Sequence, residues 1–266
     1  MKSITKKVIN FLIVNVLLSS IFYYLIIGRN IRSNILSFGL MCVPAFSSII
    51  IQLIYTKNIK GFGWKLGKLK YLVLSFLIPI MGCIIVYPIV WVTGIGGVSV
   101  EKLTQTYNNP ISRIIIFILP ILILINFIAA LGEEIGWRGF LVSELVKKYS
   151  YVKTSLIISL IWFIWHCPII IFSSYGVEGA SLLYNLIMAS IVMTTFTFIT
   201  VWIRLKSESL WTATIFHGIH NLFIQQIFDV ITLDYGKTKY FTSEFGIGMA
   251  LFYIVVSIYC IKRSVK

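Results

Sequence analysis

Apolar residues run through this chain in long uncharged stretches, with neither the alternation of strands nor the narrow stripe of soluble amphipathic helices. Eight runs stand out: Val8–Gly28, Asn34–Thr56, Tyr71–Val100, Ile114–Gly132, Thr154–Val177, Gly179–Ile203, Ser209–Phe228 and Phe245–Ile261. About 20 helical residues cross the ~30 Å hydrocarbon layer of a bilayer, and every run meets or approaches that length. The pattern predicts an all-α fold, a polytopic membrane helix bundle of about eight transmembrane helices, forming a single integral membrane domain over residues 1–266. The third run exceeds a crossing, and its Thr93-Gly-Ile-Gly-Gly tail predicts an exit loop. Glu101–Ser112, which contains Asn108-Asn109-Pro110, and Asp229–Glu244 read as connections on the outer side. The first run follows Lys2, Lys6 and Lys7 but ends in Tyr23-Tyr24-Leu-Ile-Ile-Gly-Arg, without a small-residue cleavage pattern, so a retained helix is expected.

Composition agrees with a membrane setting: 58% of residues are hydrophobic and 12% charged. The net charge of +14 would suit nucleic-acid binding, but the placement of the charge explains it better. With eight crossings and both the N- and C-termini cytoplasmic, 17 of the 23 basic residues fall on the inside and 6 outside. That split follows the positive-inside rule, so the basic residues set orientation and grip anionic headgroups of the lipid bilayer. No nucleic-acid partner is expected, and the expected location is the cell membrane, multi-pass. Lys57–Lys70 mixes lysines with Phe62, Trp64 and Leu66 and predicts a segment lying on the cytoplasmic surface. The four cysteines lie within apolar runs with no Cys-x-x-Cys spacing, so neither a disulfide framework nor a zinc knuckle is implied.

The chemistry concentrates in three runs. Glu133-Glu134-Ile-Gly-Trp-Arg138 closes the fourth, and two adjacent carboxylates at the edge of a bilayer are costly enough to need a reason. Helical residues i and i+4 share a face, so Glu134 is placed to pair with Arg138, a supporting ion pair that fixes the helix end. Glu133 diverges by about 100° and is free to face a polar cavity as a general base. Asn126, seven residues earlier, shares its face. His166 sits deep in the fifth run, in Trp162-Phe163-Ile-Trp165-His166-Cys-Pro168, and needs a partner inside the membrane. In the seventh run His217 and Asn221 are spaced i, i+4, and Gly218 permits close approach of another backbone or a substrate. His220 is about 60° away from His217 on the helix and faces elsewhere. Two chemistries remain open. Glu133, His166 and His217 could supply a three-ligand zinc site. Without any metal, Glu133 helped by His166 could activate water while His217 and Asn221 stabilise an oxyanion.

The order Glu-Glu-x-x-x-Arg, aromatic-x-x-x-His and His-x-x-x-Asn, each at a membrane helix, resembles the CPBP (Abi) intramembrane proteases, which include CAAX prenyl endopeptidases and proteins tied to bacteriocin processing and self-immunity. The resemblance covers roughly residues 114–228. It implies a catalytic set of Glu133 as water-activating base, His166 as its partner, and His217 and Asn221 as oxyanion or metal residues, with Glu134 and Arg138 supporting. One position departs: the family often carries Phe four residues before the His of the second motif, where this chain has Trp162.

The expected function is an intramembrane endopeptidase, metallo- or glutamate-dependent, cutting a membrane-associated peptide or protein tail. Because the Glu-Glu motif precedes an inside loop, the cavity is expected to open toward the cytoplasm or its leaflet. Bacteriocin leaders, peptide pheromones or self-immunity are expected ahead of a farnesylated tail. Two readings compete: a non-catalytic membrane scaffold or immunity protein, and a proton-coupled transporter, although the paired halves common in transporters are not visible.

Overall fold

A computed structural model describes residues 2–31, 33–173 and 175–264. The chain is helical nearly throughout. The long helices are α1 (Lys2–Tyr23), α2 (Asn34–Thr56) and α3 (Leu69–Val92). A short strand β1 (Gly96–Val98) and helix α4 (Glu101–Tyr107) follow. Next, α5 (Ile111–Arg113), a π-helical turn at Ile114–Ile118, α6 (Leu119–Glu134), a second π-helical segment at Ile135–Leu141 and α7 (Val142–Leu145) form one continuous rod. Helices α8 (Tyr151–Phe172), α9 (Leu182–Ser207) and α10 (Leu210–Asn221) come next. A π-helical segment at Leu222–Phe228 leads into α11 (Asp229–Ile231), strand β2 (Thr232–Asp234) and α12 (Ile247–Ser264).

Serine side chains start four of the helices. Ser33, Ser150, Ser181 and Ser209 each accept a hydrogen bond from a free amide of the first turn. This satisfies donors that have no intrahelical partner, which matters most where water is scarce.

Seven helices among the described residues are long and apolar enough to cross a membrane. The eighth expected run is also helical, from Leu210 to Ile231, but its His, Asn and Gln residues dilute its apolar character and a π-helical segment interrupts it. It packs against α6, α3 and α9 and so belongs to the interior of the bundle. Large apolar side chains such as Leu17, Phe117, Leu160 and Val255 point outward, as lipid contact requires. The multi-pass architecture expected from the hydrophobic runs is therefore present.

Several local expectations change. The 35-residue rod Ile111–Leu145 is about 52 Å long at 1.5 Å per residue, so the Glu-Glu motif lies well inside it and marks no helix end. The Lys57–Lys70 segment does not simply lie on a surface. Phe62 is only 1% exposed, and the carbonyls of Gly63 and Trp64 accept from the Leu210 amide and the Trp211 indole. The connections after α3 and after α11 pair as an antiparallel ribbon, with Gly97 opposite Leu233.

Close helix contact depends on small residues. A Cβ on Gly136 would lie 2.5 Å from the Pro44 side chain, so α2 can meet the rod at that level only because Gly136 has no side chain.

Candidate active site

Three elements bring the polar residues together. The rod supplies Glu133, Glu134 and Arg138, α8 supplies His166, and α10 supplies His217 and Asn221. A Cβ on Gly218 would sit 3.2 Å from the Phe127 Cα, so this glycine lets α10 lie against α6 and brings His217 to Glu134. Both functional stretches run directly into π-helical segments, at Ile135 and at Leu222. Such turns rotate the following side chains relative to an unbroken α-helix and recur at functional sites.

Glu133 is 2% exposed. It has no cationic hydrogen-bond partner. Instead its Oε2 accepts from two indoles, Trp162 at 2.8 Å and Trp137 at 3.3 Å. A carboxylate in apolar surroundings needs such donors to offset its lost hydration.

Glu134 is the hub behind it. Its Oε1 accepts from Arg138 Nη1 at 2.8 Å and from His217 Nδ1 at 2.9 Å, while Oε2 has no protein partner. Arg138 is fully buried and also donates to Thr200 Oγ1 and Thr197 Oγ1. Its guanidinium lies 4.8 Å from the centre of the Trp162 ring, so that indole binds Glu133 at its edge and Arg138 on its face. The Glu134–Arg138 pair thus sits inside the protein.

The two histidines are held alike. His166 Nδ1 lies 3.0 Å from the Trp162 carbonyl, an acceptor only, so that nitrogen carries the proton. His217 Nδ1 faces a carboxylate with the same consequence. In both rings Nε2 has no hydrogen-bond partner among the described residues. Edge-on contacts with Trp162 fix both ring planes. Held this way, each Nε2 can take a proton from water, or donate to an anion once the ring is doubly protonated.

Glu133, His166, His217 and Asn221 line one cavity of about 400 Å³. The half-buried Asn221 amide has no hydrogen-bond partner there among the described residues. Glu134 and Arg138 are not in the lining; they stand behind it. No hydrogen bond joins Glu133 to His166. Asn126 is also outside the lining: it donates to the Leu122 carbonyl and accepts from Gln226. His220 lies outside too, its Nδ1 paired with the Tyr253 hydroxyl at 2.7 Å. The trio offered by the sequence as zinc ligands lines this one cavity. Among the described residues no three His, Cys, Asp or Glu side chains are grouped to hold a metal ion. Both indoles bond Oε2 of Glu133 and leave its Oε1 clear of them, and no step is routed through a metal.

Sequence reasoning missed several residues of this site. Trp162 stood out only as a departure from Phe, and its N–H is the feature that matters. Glu244, from the connection before α12, also lines the cavity and accepts from the Tyr175 hydroxyl and the Gln225 amide, both at 2.9 Å. Burial works against its ionisation, yet the His220 ring 3.9 Å away and the Tyr175 hydroxyl hold its carboxyl below the usual range. No spacing pattern announces a loop carboxylate.

The opening also differs from expectation. The cavity reaches Ile26, Ser37, Ser173, Gln225 and Glu244, at the end of the bundle bearing the connections 28–34, 173–181 and 229–246. The loop that follows the Glu-Glu rod is at the other end. The helix continues for eleven residues beyond Glu134, to Leu145, so the motif's position in the chain says little about which end is open.

The chain is similar to known intramembrane proteases. The family model described as Type II CAAX prenyl endopeptidase Rce1-like matches residues 115–223, the stretch that carries all six motif residues. A CAAX prenyl protease 2 from Methanococcus maripaludis is 30% identical over 194 residues, covering 69% of this chain and 69% of its own.

Proposed function

The chain belongs to the Rce1-like CAAX prenyl endopeptidase family of intramembrane proteases, and from that premise we propose that it hydrolyses a peptide bond in a membrane-associated peptide or protein tail, using water activated by Glu133. Glu133 takes a proton from water as the oxygen attacks the scissile carbonyl. Glu133 then returns that proton to the departing amine, while His166, with Nε2 free toward the cavity, accepts a hydrogen bond from the attacking water and orients it. The amide of Asn221 donates to the carbonyl oxygen as it becomes anionic, joined by His217 Nε2 when that ring is doubly protonated. Glu134 orients His217 and, with Arg138, Thr197 and Thr200, fixes the wall from behind. The cell membrane is the proposed location.

One observation carries this reading. A base, two imidazoles with their outward nitrogens unengaged and an unpaired amide face a single cavity of about 400 Å³, and its Ile26, Leu40, Met41 and Ile169 lining suits an apolar substrate. The relative's name specifies a CAAX prenyl substrate for that protein; an apolar or lipidated segment is the corresponding proposal here. The deciding experiment measures peptide-bond cleavage by membranes carrying wild-type or Glu133→Gln protein at equal abundance. Cleavage is expected to fall by at least ~10³-fold. Undiminished cleavage, or a cellular phenotype that survives the substitution, would instead identify a binding protein.

A further inference from the structure

The catalytic cavity is open at one end of the bundle and sealed at the other, and the two ends differ sharply in charge. At the open end, Tyr175, Gln225 and Glu244 are shared with a neighbouring depression that continues to Lys239 and Ser243. Ile26, Ser37 and Ser173 are shared with another that continues to Asn30 and Asn34. Water-sized space therefore leads from the site to the connections 28–34, 173–181 and 229–246. Pairing of β1 with β2 places residues 93–100 at this same end.

The other end is filled. Trp137, Arg138 and Phe140 are each 0% exposed, and Phe62 is folded in beneath them. Arg204 bonds the carbonyls of both Arg138 and Phe62, tying the segment between α2 and α3 to the rod. Buried Lys7 joins α1 to Glu144 of α7 at 2.7 Å. The depression on that side is lined by Gln52, Ser143 and Lys147 among others and shares no residue with the catalytic cavity.

The filled end carries the basic connections: among the described residues 16 Lys and Arg belong to it, against 5 at the open end. Lys7, Arg138 and Arg204 are buried and should be discounted, but the asymmetry survives their removal. Basic loops are retained on the cytoplasmic side of a membrane, and short connections such as 57–68 and 146–150 are those for which the rule holds best.

We propose that the active site is entered from the non-cytoplasmic face. Its substrates are then polypeptide segments already exposed at that face or lying in the outer leaflet, and transport or insertion across the membrane must precede cleavage. A tail confined to the cytosol meets the filled end. The inference depends on the endopeptidase reading only for what enters; the side of entry is independent of it.

Cysteine accessibility tests this with a charged, membrane-impermeant methanethiosulfonate as the probe. Half-exposed Cys42 and Cys167 are first replaced by Ser. Lys237→Cys marks the open end, Lys65→Cys the filled end, and Met41→Cys the cavity wall. In intact cells Lys237→Cys and Met41→Cys should react, whereas Lys65→Cys should react only after permeabilisation. Reaction of Lys65→Cys but not Lys237→Cys in intact cells overturns the orientation. Reaction of Lys237→Cys with Met41→Cys accessible only after permeabilisation overturns the route. Gln225→Cys, at the exposed rim, substitutes for Met41→Cys if that variant does not accumulate. Labelling is repeated in Glu133→Gln protein, so a failure of catalysis and a failure of the entry route are read separately.

Discussion

Trp162 donates its indole N–H to Glu133 Oε2 at 2.8 Å, from one turn before His166 on the same helix. A Phe at this position would keep the wall but lose the donor. A hydrogen bond to a charged group contributes roughly 1.5–3 kcal/mol, and this one also fixes the direction of the Glu133 carboxylate. Trp162→Phe is expected to lower kcat by about 10–100-fold with KM little changed, because the interaction positions the reacting group and does not hold substrate. Steady-state kinetics on purified protein would check the split; a change confined to KM would place Trp162 in substrate binding instead.

Glu134 performs two separable tasks. It neutralises buried Arg138, and it orients His217. Removing one partner of a buried ion pair typically costs about 3–5 kcal/mol, whereas replacing both by apolar groups is often tolerated. Glu134→Leu should therefore lower the unfolding midpoint in detergent markedly, and Glu134→Leu with Arg138→Met should recover much of it. Activity should not return in the double variant, because His217 still lacks its acceptor. Recovery of both would reduce Glu134 to an architectural role.

Glu244 reaches the cavity from a connection, alongside Tyr175 and Gln225 at the rim. Glu244→Gln keeps the shape but exchanges an acceptor for a donor and removes the charge. KM is expected to rise while kcat stays within about twofold, since the residue shapes entry and does not take part in bond cleavage. Parallel kinetics on Tyr175→Phe should show the same direction.

Asp229, beyond the end of the membrane run, gives a stability signature. Burial pushes its carboxyl up to about 6, against the opposing hydrogen bonds from Tyr87 and Ser243. An unfolded Asp titrates near 3.9, so between these values the folded state binds a proton that the unfolded state has released. The folded protein thus gains from this site at low pH and loses that gain as pH rises through about 6, by on the order of 3 kcal/mol. Unfolding midpoints in detergent should be higher at pH 5 than at pH 7.5, and Asp229→Asn should flatten the difference.

Most helices were legible because a bilayer demands long uncharged runs, and such runs are hard to disguise. The expected Asn34–Thr56 run coincides with α2, and Tyr71–Val100 contains α3 followed by the exit loop. The Glu134–Arg138 pair was legible because α-helical geometry fixes i, i+4 neighbours. What lay beyond Arg138 was not: charge ended the apolar run at Gly132, while the helix continued to Leu145 because its polar residues are satisfied internally. Thr197 and Thr200 share a face of α9, but nothing in their spacing names Arg138 as their target. Glu244 depends on how a connection folds back over the bundle, which no helical period encodes.

The two-stranded ribbon joining Gly96–Val98 to Thr232–Asp234 ties the connection after α3 to the stretch leading toward Glu244. One rim of the doorway is consequently stapled on both sides. It cannot swing aside as a free flap without breaking backbone pairing, so at that rim selection among entering segments falls to girth and flexibility ahead of any clamping motion.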